Sequence, residues 1–162
     1  MIKNIISTVV LCTIVTILES TILSDLKILP DLAMCILVYS AYVNGAMTGQ
    51  VSGFFSGLLR DFLSSAPLGL NCLIRTLIGA VTGLFKGAFF LDTFFMPVIL
   101  CTLATIAKAI CYLILHLVIG SDIPIYSFVS PVFWIELGIN ALSAPLLFFL
   151  LKKIKFLSSA RR

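Results

Sequence analysis

Ionisable side chains are few in this chain, and several stand inside or at the edge of long apolar runs: Glu19, Arg60, Asp61, Arg75, Lys108 and Glu136, with His116 near the end of one. A charge placed in an apolar segment is costly, so such groups mark pathways, pairings or binding sites. Lys108, Tyr112 and His116 recur at every fourth residue, which puts them on one face of a helix. That stripe could carry a proton or a substrate. It could equally be a polar seam, its lysine paired with Glu19 or Glu136, and His116 then reads as a satisfied histidine at the membrane interface. The six firm charges cancel, three of each sign, so the positive excess of the chain sits in the tail residues Lys152, Lys153, Lys155, Arg161 and Arg162.

Recognised catalytic arrangements are missing. The chain has one histidine, so a multi-histidine metal site is excluded, and no H-E-x-x-H occurs. The five cysteines (Cys12, Cys35, Cys72, Cys101 and Cys111) lie in apolar segments with no C-x-x-C pair, as buried free thiols do. Gly53-Phe54-Phe55-Ser56-Gly57 lacks the spacing of a serine-nucleophile elbow. No phosphate-binding loop or dinucleotide fingerprint is present. The reading is of a protein that is no enzyme, with no cofactor, no metal and no nucleic-acid partner.

The elements that would position these side chains are membrane helices. Of 162 residues 60% are hydrophobic and 11% charged, and the mean hydropathy is +1.19. A soluble domain of this size needs far more polar surface. Clear spans are Asn4–Leu23, Leu68–Phe85, Phe94–Ile119 and Val132–Leu151. The first is read as a retained helix, not a signal peptide, since Glu19 interrupts it and no small-x-small cleavage site follows. Asp31–Leu63 is too long for one span and short for two, at about 20 residues each. Its central Asn44-Gly45 is a turn dipeptide, so two short helices are expected, Leu32–Val43 and Ala46–Phe62. The result is an all-α, six-span bundle in one domain covering 1–162. A basic tail faces the cytoplasm by the positive-inside rule. Lys3 and Lys86 then lie inside, with Asp25, Lys27 and Asp122 outside. A five-span version, with Asp31–Leu63 crossing once, would keep the tail inside and put Lys3 outside and Lys27 inside. Pro145 should kink the last span and free a carbonyl near Ala141, whereas Pro97 sits harmlessly in a first turn.

Two glycine ladders run along these helices. Gly45, Gly49, Gly53 and Gly57 recur every fourth residue and lead to Asp61; Gly79, Gly83 and Gly87 follow Arg75 in the same register. Bare glycine faces let helix backbones approach closely, which drives association in lipid. The ladders therefore serve internal packing or an incoming partner helix. Asp61 and Arg75 flank the connection Ser64-Ser65-Ala66-Pro67. They should approach each other or share a polar network where the faces meet, unless both snorkel to the interface. Arg60, on the other side of its helix, should point to headgroups.

Pro30-Asp31-Leu32, followed by Leu37-Val38-Tyr39 and on to Gly45, resembles the MreD family of rod shape-determining proteins. The strongest stretch is Gly53-Phe54-Phe55-Ser56-Gly57-Leu58-Leu59-Arg60-Asp61-Phe62-Leu63, continuing to Ala66-Pro67-Leu68-Gly69-Leu70-Asn71. It is similar to the family's G-(apolar)-G-L-L-x-D-x-(apolar) segment with a following P-L-G. The resemblance covers about residues 30 to 87. It implies a multi-pass scaffold subunit of the bacterial inner membrane, in the elongation machinery that directs lateral peptidoglycan synthesis. The implied partners are an MreC-like single-span protein with a periplasmic domain, a RodA-type glycan polymerase, a class B penicillin-binding transpeptidase and MreB filaments. Such proteins also look similar in architecture to the substrate-binding subunits of energy-coupling-factor vitamin transporters.

Two functions are thus in play. A scaffold would present the glycine face, or the surface beside it, to a partner helix. A small-molecule carrier subunit would instead need Arg75, Lys108, His116 and Glu136 to converge on a cavity of a few hundred cubic ångströms, roughly the size of ligand pockets in general.

Overall fold

The computed structural model describes residues 2–22, 31–64, 67–87, 95–120 and 130–153. These form α1 (Ile2–Ile22), α2 (Leu32–Asn44), α3 (Ala46–Leu63), α4 (Leu70–Leu84), α5 (Phe95–Ile119) and α6 (Pro131–Lys153). All regular structure among the described residues is helical. Three helices, α1, α5 and α6, are long and apolar enough to cross a membrane; α2 and α4 are shorter apolar helices. Asp25, Lys27, Pro30, Ser65, Ala66, Asp122 and the tail residues Lys155, Arg161 and Arg162, on which parts of the sequence reading rest, lie outside the described residues.

The two short helices expected from the Asn44-Gly45 turn are present, separated by Gly45 alone. Gly45 adopts φ +103, a region closed to most L-residues, and its N–H donates to the Ala41 carbonyl. The chain reverses there within one residue. Gly45 is thus a turn residue, and its backbone also closes the seam, since a Cβ added at Gly83 would strike the Gly45 carbonyl carbon.

Helix α2 forms the centre of the bundle. Every residue from Ala33 to Tyr42 is buried, and α2 touches each of the other helices. A helix that is apolar all round has to be enclosed. On α6, Phe148 packs edge-on against Tyr39 of α2 with ring centroids 4.9 Å apart. Pro145 lies within α6, which continues past it to Lys153.

Helix α1 sits at the edge. It exposes Ile6, Val10, Ile14 and Ile17 and buries Asn4, Thr8, Cys12, Thr16 and Glu19. This buried stripe is a polar seam against α2. Asn4 Nδ2 donates to Asn44 Oδ1 at 2.6 Å, and the Thr8 and Ser40 hydroxyls lie 2.6 Å apart. Cys12 Sγ donates to the Ala33 carbonyl at 3.5 Å. Within a membrane, hydrogen bonds of this kind add to packing in holding a peripheral helix.

The glycine ladders form the contact between α3 and α4. A Cβ added at Gly49 would strike the Gly79 carbonyl, one at Gly53 the Arg75 carbonyl, and one at Gly57 the Cys72 backbone. Reciprocally, Gly79 meets the Gly49 backbone and Gly83 that of Ala46. The two backbones touch along the whole seam, so α4 fills the face that a partner helix was expected to use. Gly87 has nothing within 4 Å of its Cβ position and takes φ +76 beyond the helix end. It lies outside the seam.

Candidate functional site

Each helix, or the cap that opens it, contributes one charge to a single buried cluster: Glu19 from α1, Asp31 at the N-cap of α2, Arg60 from α3, Arg75 from α4, Lys108 from α5 and Glu136 from α6. Asp31 is its hub. Its Oδ1 accepts from Arg75 Nη2 at 2.7 Å and lies 3.6 Å from Arg60 Nη1, while Oδ2 accepts from Lys108 Nζ at 3.2 Å. Lys108 Nζ also donates to Glu136 Oε1 at 2.6 Å, and Arg60 Nη1 donates to Glu19 Oε2 at 3.0 Å. Three carboxylates and three cations balance. The Asp31 and Arg75 side chains are each 3% exposed, against 24% for Arg60, so only the Arg60 edge of the cluster is open.

The cluster also closes the start of α2. A helix leaves its first N–H groups without intrahelical partners, and buried ones must bond elsewhere. Here Asp31 N–H donates to Asn140 Oδ1 at 3.0 Å. Leu32 and Ala33 N–H donate to Glu19 Oε1 at 2.7 and 3.2 Å, and Met34 N–H donates to Asp31 Oδ1 at 3.1 Å. Every early donor of the central helix is satisfied, two of them by a carboxylate from another helix. Negative charge at a helix N-terminus is also favoured by the helix dipole.

Asp61 repeats this device on α4. Its Oδ2 accepts from Gly69 N–H at 3.0 Å and Cys72 N–H at 3.1 Å. Its Oδ1 accepts from Asn71 N–H at 2.9 Å and Asn71 Nδ2 at 3.0 Å. Asn71 Oδ1 in turn accepts from the Tyr112 hydroxyl at 3.1 Å, which ties α4 to α5.

Two sequence expectations change, and of the two partners offered for Lys108 one, Glu136, is realised. Asp61 and Arg75 form no ion pair with each other: the carboxylate is engaged by the α4 N-terminus, and the guanidinium reaches across to Asp31. Arg60 turns inward to Glu19 and Asp31 instead of outward to headgroups, because two buried carboxylates lie within its reach. Lys108 is held by Glu136 and Asp31, while Glu19 goes to Arg60. On the Lys108 stripe, Lys108 and Tyr112 are buried, and His116 is half-buried in the last turn of α5.

Sequence reasoning met Asp31 and Asn71 only as parts of the family-like segments, assigning them no partner, and passed over Asn140 and the α1 seam. Asp31 was detectable: an aspartate directly before an apolar run is an N-cap signature. The every-fourth spacing of Asn4, Thr8, Cys12 and Thr16 was likewise readable. Nothing local marks Asn71 or Asn140 as partners of distant helices.

A cleft of about 550 Å³ opens between α4 and α5, lined by Leu77, Val81, Phe85, Met96, Leu103 and Cys111 among others. None of the clustered charges lines it, and its polar contribution is Thr82. The charged side chains therefore close on one another and do not converge on this space. Among the described residues no group of His, Cys, Asp and Glu could hold a metal ion.

No curated protein and no solved structure matches the chain. The family model described as rod shape-determining protein MreD matches residues 2–154. That span includes all six helices and every residue of the charged cluster, and on it the chain belongs to the MreD family.

Proposed function

We propose that this protein is a non-enzymatic scaffold of the bacterial inner membrane, which binds an MreC-like single-span partner and thereby helps control cell shape and lateral peptidoglycan synthesis. The observation that carries this reading is the MreD-family match over nearly the whole chain. The geometry agrees with it. Ionisable groups that could serve catalysis or transport are engaged with one another or with helix ends, as structural groups are. In this reading all six helices lie in the membrane, the shorter ones with local thinning of the bilayer, and the basic tail faces the cytoplasm. A RodA-type polymerase, a class B transpeptidase and MreB are the further neighbours.

The vitamin-carrier reading loses its main support, since Arg75, Lys108 and Glu136 pair with each other or with Asp31 and do not line the cleft. The partner docks away from the glycine seam, which α4 occupies. The test is affinity purification of this chain co-expressed with an MreC-like protein in lipid nanodiscs. Retention of the partner by the wild type, lost when the partner's transmembrane helix is replaced by an unrelated one, is the expected result. Equal retention by the unrelated helix contradicts it.

A further inference from the structure

Charge is distributed unequally between the two ends of the bundle. Asn4 bonds to Asn44, Lys86 Nζ donates to the Asn44 carbonyl at 3.0 Å, and Gly83 meets Ala46. These contacts align the start of α1, the turn after α2 and the end of α4. Phe85 and Met96 line one cleft, which brings the start of α5 to the same level. The bonds from Lys108 to Glu136 and from Asn140 to Thr105 fix the antiparallel register of α5 and α6, so Lys152 and Lys153 stand just beyond the start of α5. Lys3, Lys86, Lys152 and Lys153 are thus gathered at one end, and all are exposed. The described acids Glu19, Asp31, Asp61 and Glu136 are buried, engaged by cations or helix starts towards the other end. Among the described residues the lysine end carries no acid.

The α4–α5 cleft begins at this basic end. It runs from Phe85 to Leu77 on α4 and from Met96 to Cys111 on α5, about 12 Å and about 22 Å at the rise of a helix. A lipid chain rooted at one interface crosses about 15 Å, half of the hydrocarbon core. The cleft is therefore as long as one leaflet is deep. Thr82 supplies its one hydroxyl, and the rest of the lining is apolar apart from the Cys111 thiol. Such an interior favours hydrocarbon and gives a polar ligand little to hold. The rim favours the opposite chemistry. Lysines at a membrane surface attract anionic headgroups, and their long stems let the ammonium reach them. Hydrocarbon and anion joined in one molecule describe an anionic phospholipid.

We propose that the α4–α5 cleft is a binding site for an anionic phospholipid, with an acyl chain lying between Val81 and Leu103 and the phosphate held among the lysines. Lys86 is the first of these, since it directly follows Phe85 at the end of the cleft. The bound lipid fills the gap between two helices whose bond from Tyr112 to Asn71 lies at the other end.

The test is tryptophan quenching by brominated lipids, with the full chain in bilayers. Trp134→Phe removes the one native tryptophan. Leu103→Trp then reports on the cleft and Leu142→Trp on open lipid. Both side chains are exposed, and the pairing of Thr105 with Asn140 puts them at similar depth. Phosphatidylglycerol and phosphatidylcholine, each brominated in turn on the same acyl chains, compete in mixed bilayers. Phosphatidylglycerol should be preferred at Leu103→Trp by about threefold or more, as one lysine near the surface would give, and by no such margin at Leu142→Trp. Lys86→Gln combined with Lys152→Gln and Lys153→Gln should abolish the preference, and these exposed positions spare the core. Equal quenching by the two lipids at Leu103→Trp overturns the proposal. So does a preference of the same size at Leu142→Trp, or one that survives the lysine changes undiminished.

Discussion

At the residue scale, the protein turns costly groups into fasteners. Asp61 illustrates the logic: a buried carboxylate facing three backbone N–H groups satisfies donors that would otherwise be stranded. Asp61→Ala should therefore destabilise the fold by about 2 kcal/mol or more, from the loss of a cap and of charge-assisted bonds. Asp61→Asn keeps an acceptor oxygen and should cost less, a ranking that denaturant titration in micelles can read. Arg60 has a weaker position. Its side chain is 24% exposed, so Arg60→Met should leave the cluster folded, at about 1–3 kcal/mol for the hydrogen bonds lost to charged partners. Outright loss of folding in Arg60→Met would show that Glu19 tolerates no change of partner.

At the scale of elements, the α3–α4 hairpin is defined by the absence of side chains. Gly53→Ala drives a methyl into the Arg75 carbonyl, and overpacking of this kind costs about 1–3 kcal/mol or more. Gly138→Ala meets open space and should be neutral or stabilising by up to about 1 kcal/mol. Thermal unfolding of the two variants side by side separates packing glycines from the rest; equal losses would refute the seam. These elements were largely legible in the sequence. Periodicity and the Asn44-Gly45 turn gave the helices within a few residues, and the four-residue spacing gave the glycine faces. Which charge meets which was not legible. Asp61 and Arg75 are neighbours in sequence across one short connection, yet Arg75 reaches Asp31, 44 positions away. Partner choice inside a bundle depends on which helix ends converge, and no local pattern records that. Asp31 itself was readable as a cap, but its role as a hub emerges only once Arg60, Arg75 and Lys108 are brought to it.

At the scale of the whole molecule, one neutral cluster takes a charge from every helix or its cap. In lipid the apolar surfaces of α1, α5 and α6 have little preference for one another over acyl chains, so the polar contacts specify which faces meet. This arrangement suits the scaffold role proposed above, in which one polar centre sets how the helices meet. Its most direct test is a double-mutant cycle between Asp31 and Arg75, joined at 2.7 Å and each 3% exposed in the side chain. Unfolding of Asp31→Asn, Arg75→Met and the double variant would be followed in micelles. Each single change strands buried charge and should cost about 3–5 kcal/mol. The double variant should cost less than the sum of the two, by at least about 1 kcal/mol, as coupled residues do. Losses that add to within about 0.5 kcal/mol, the behaviour of independent sites, would contradict a cluster that holds the bundle together.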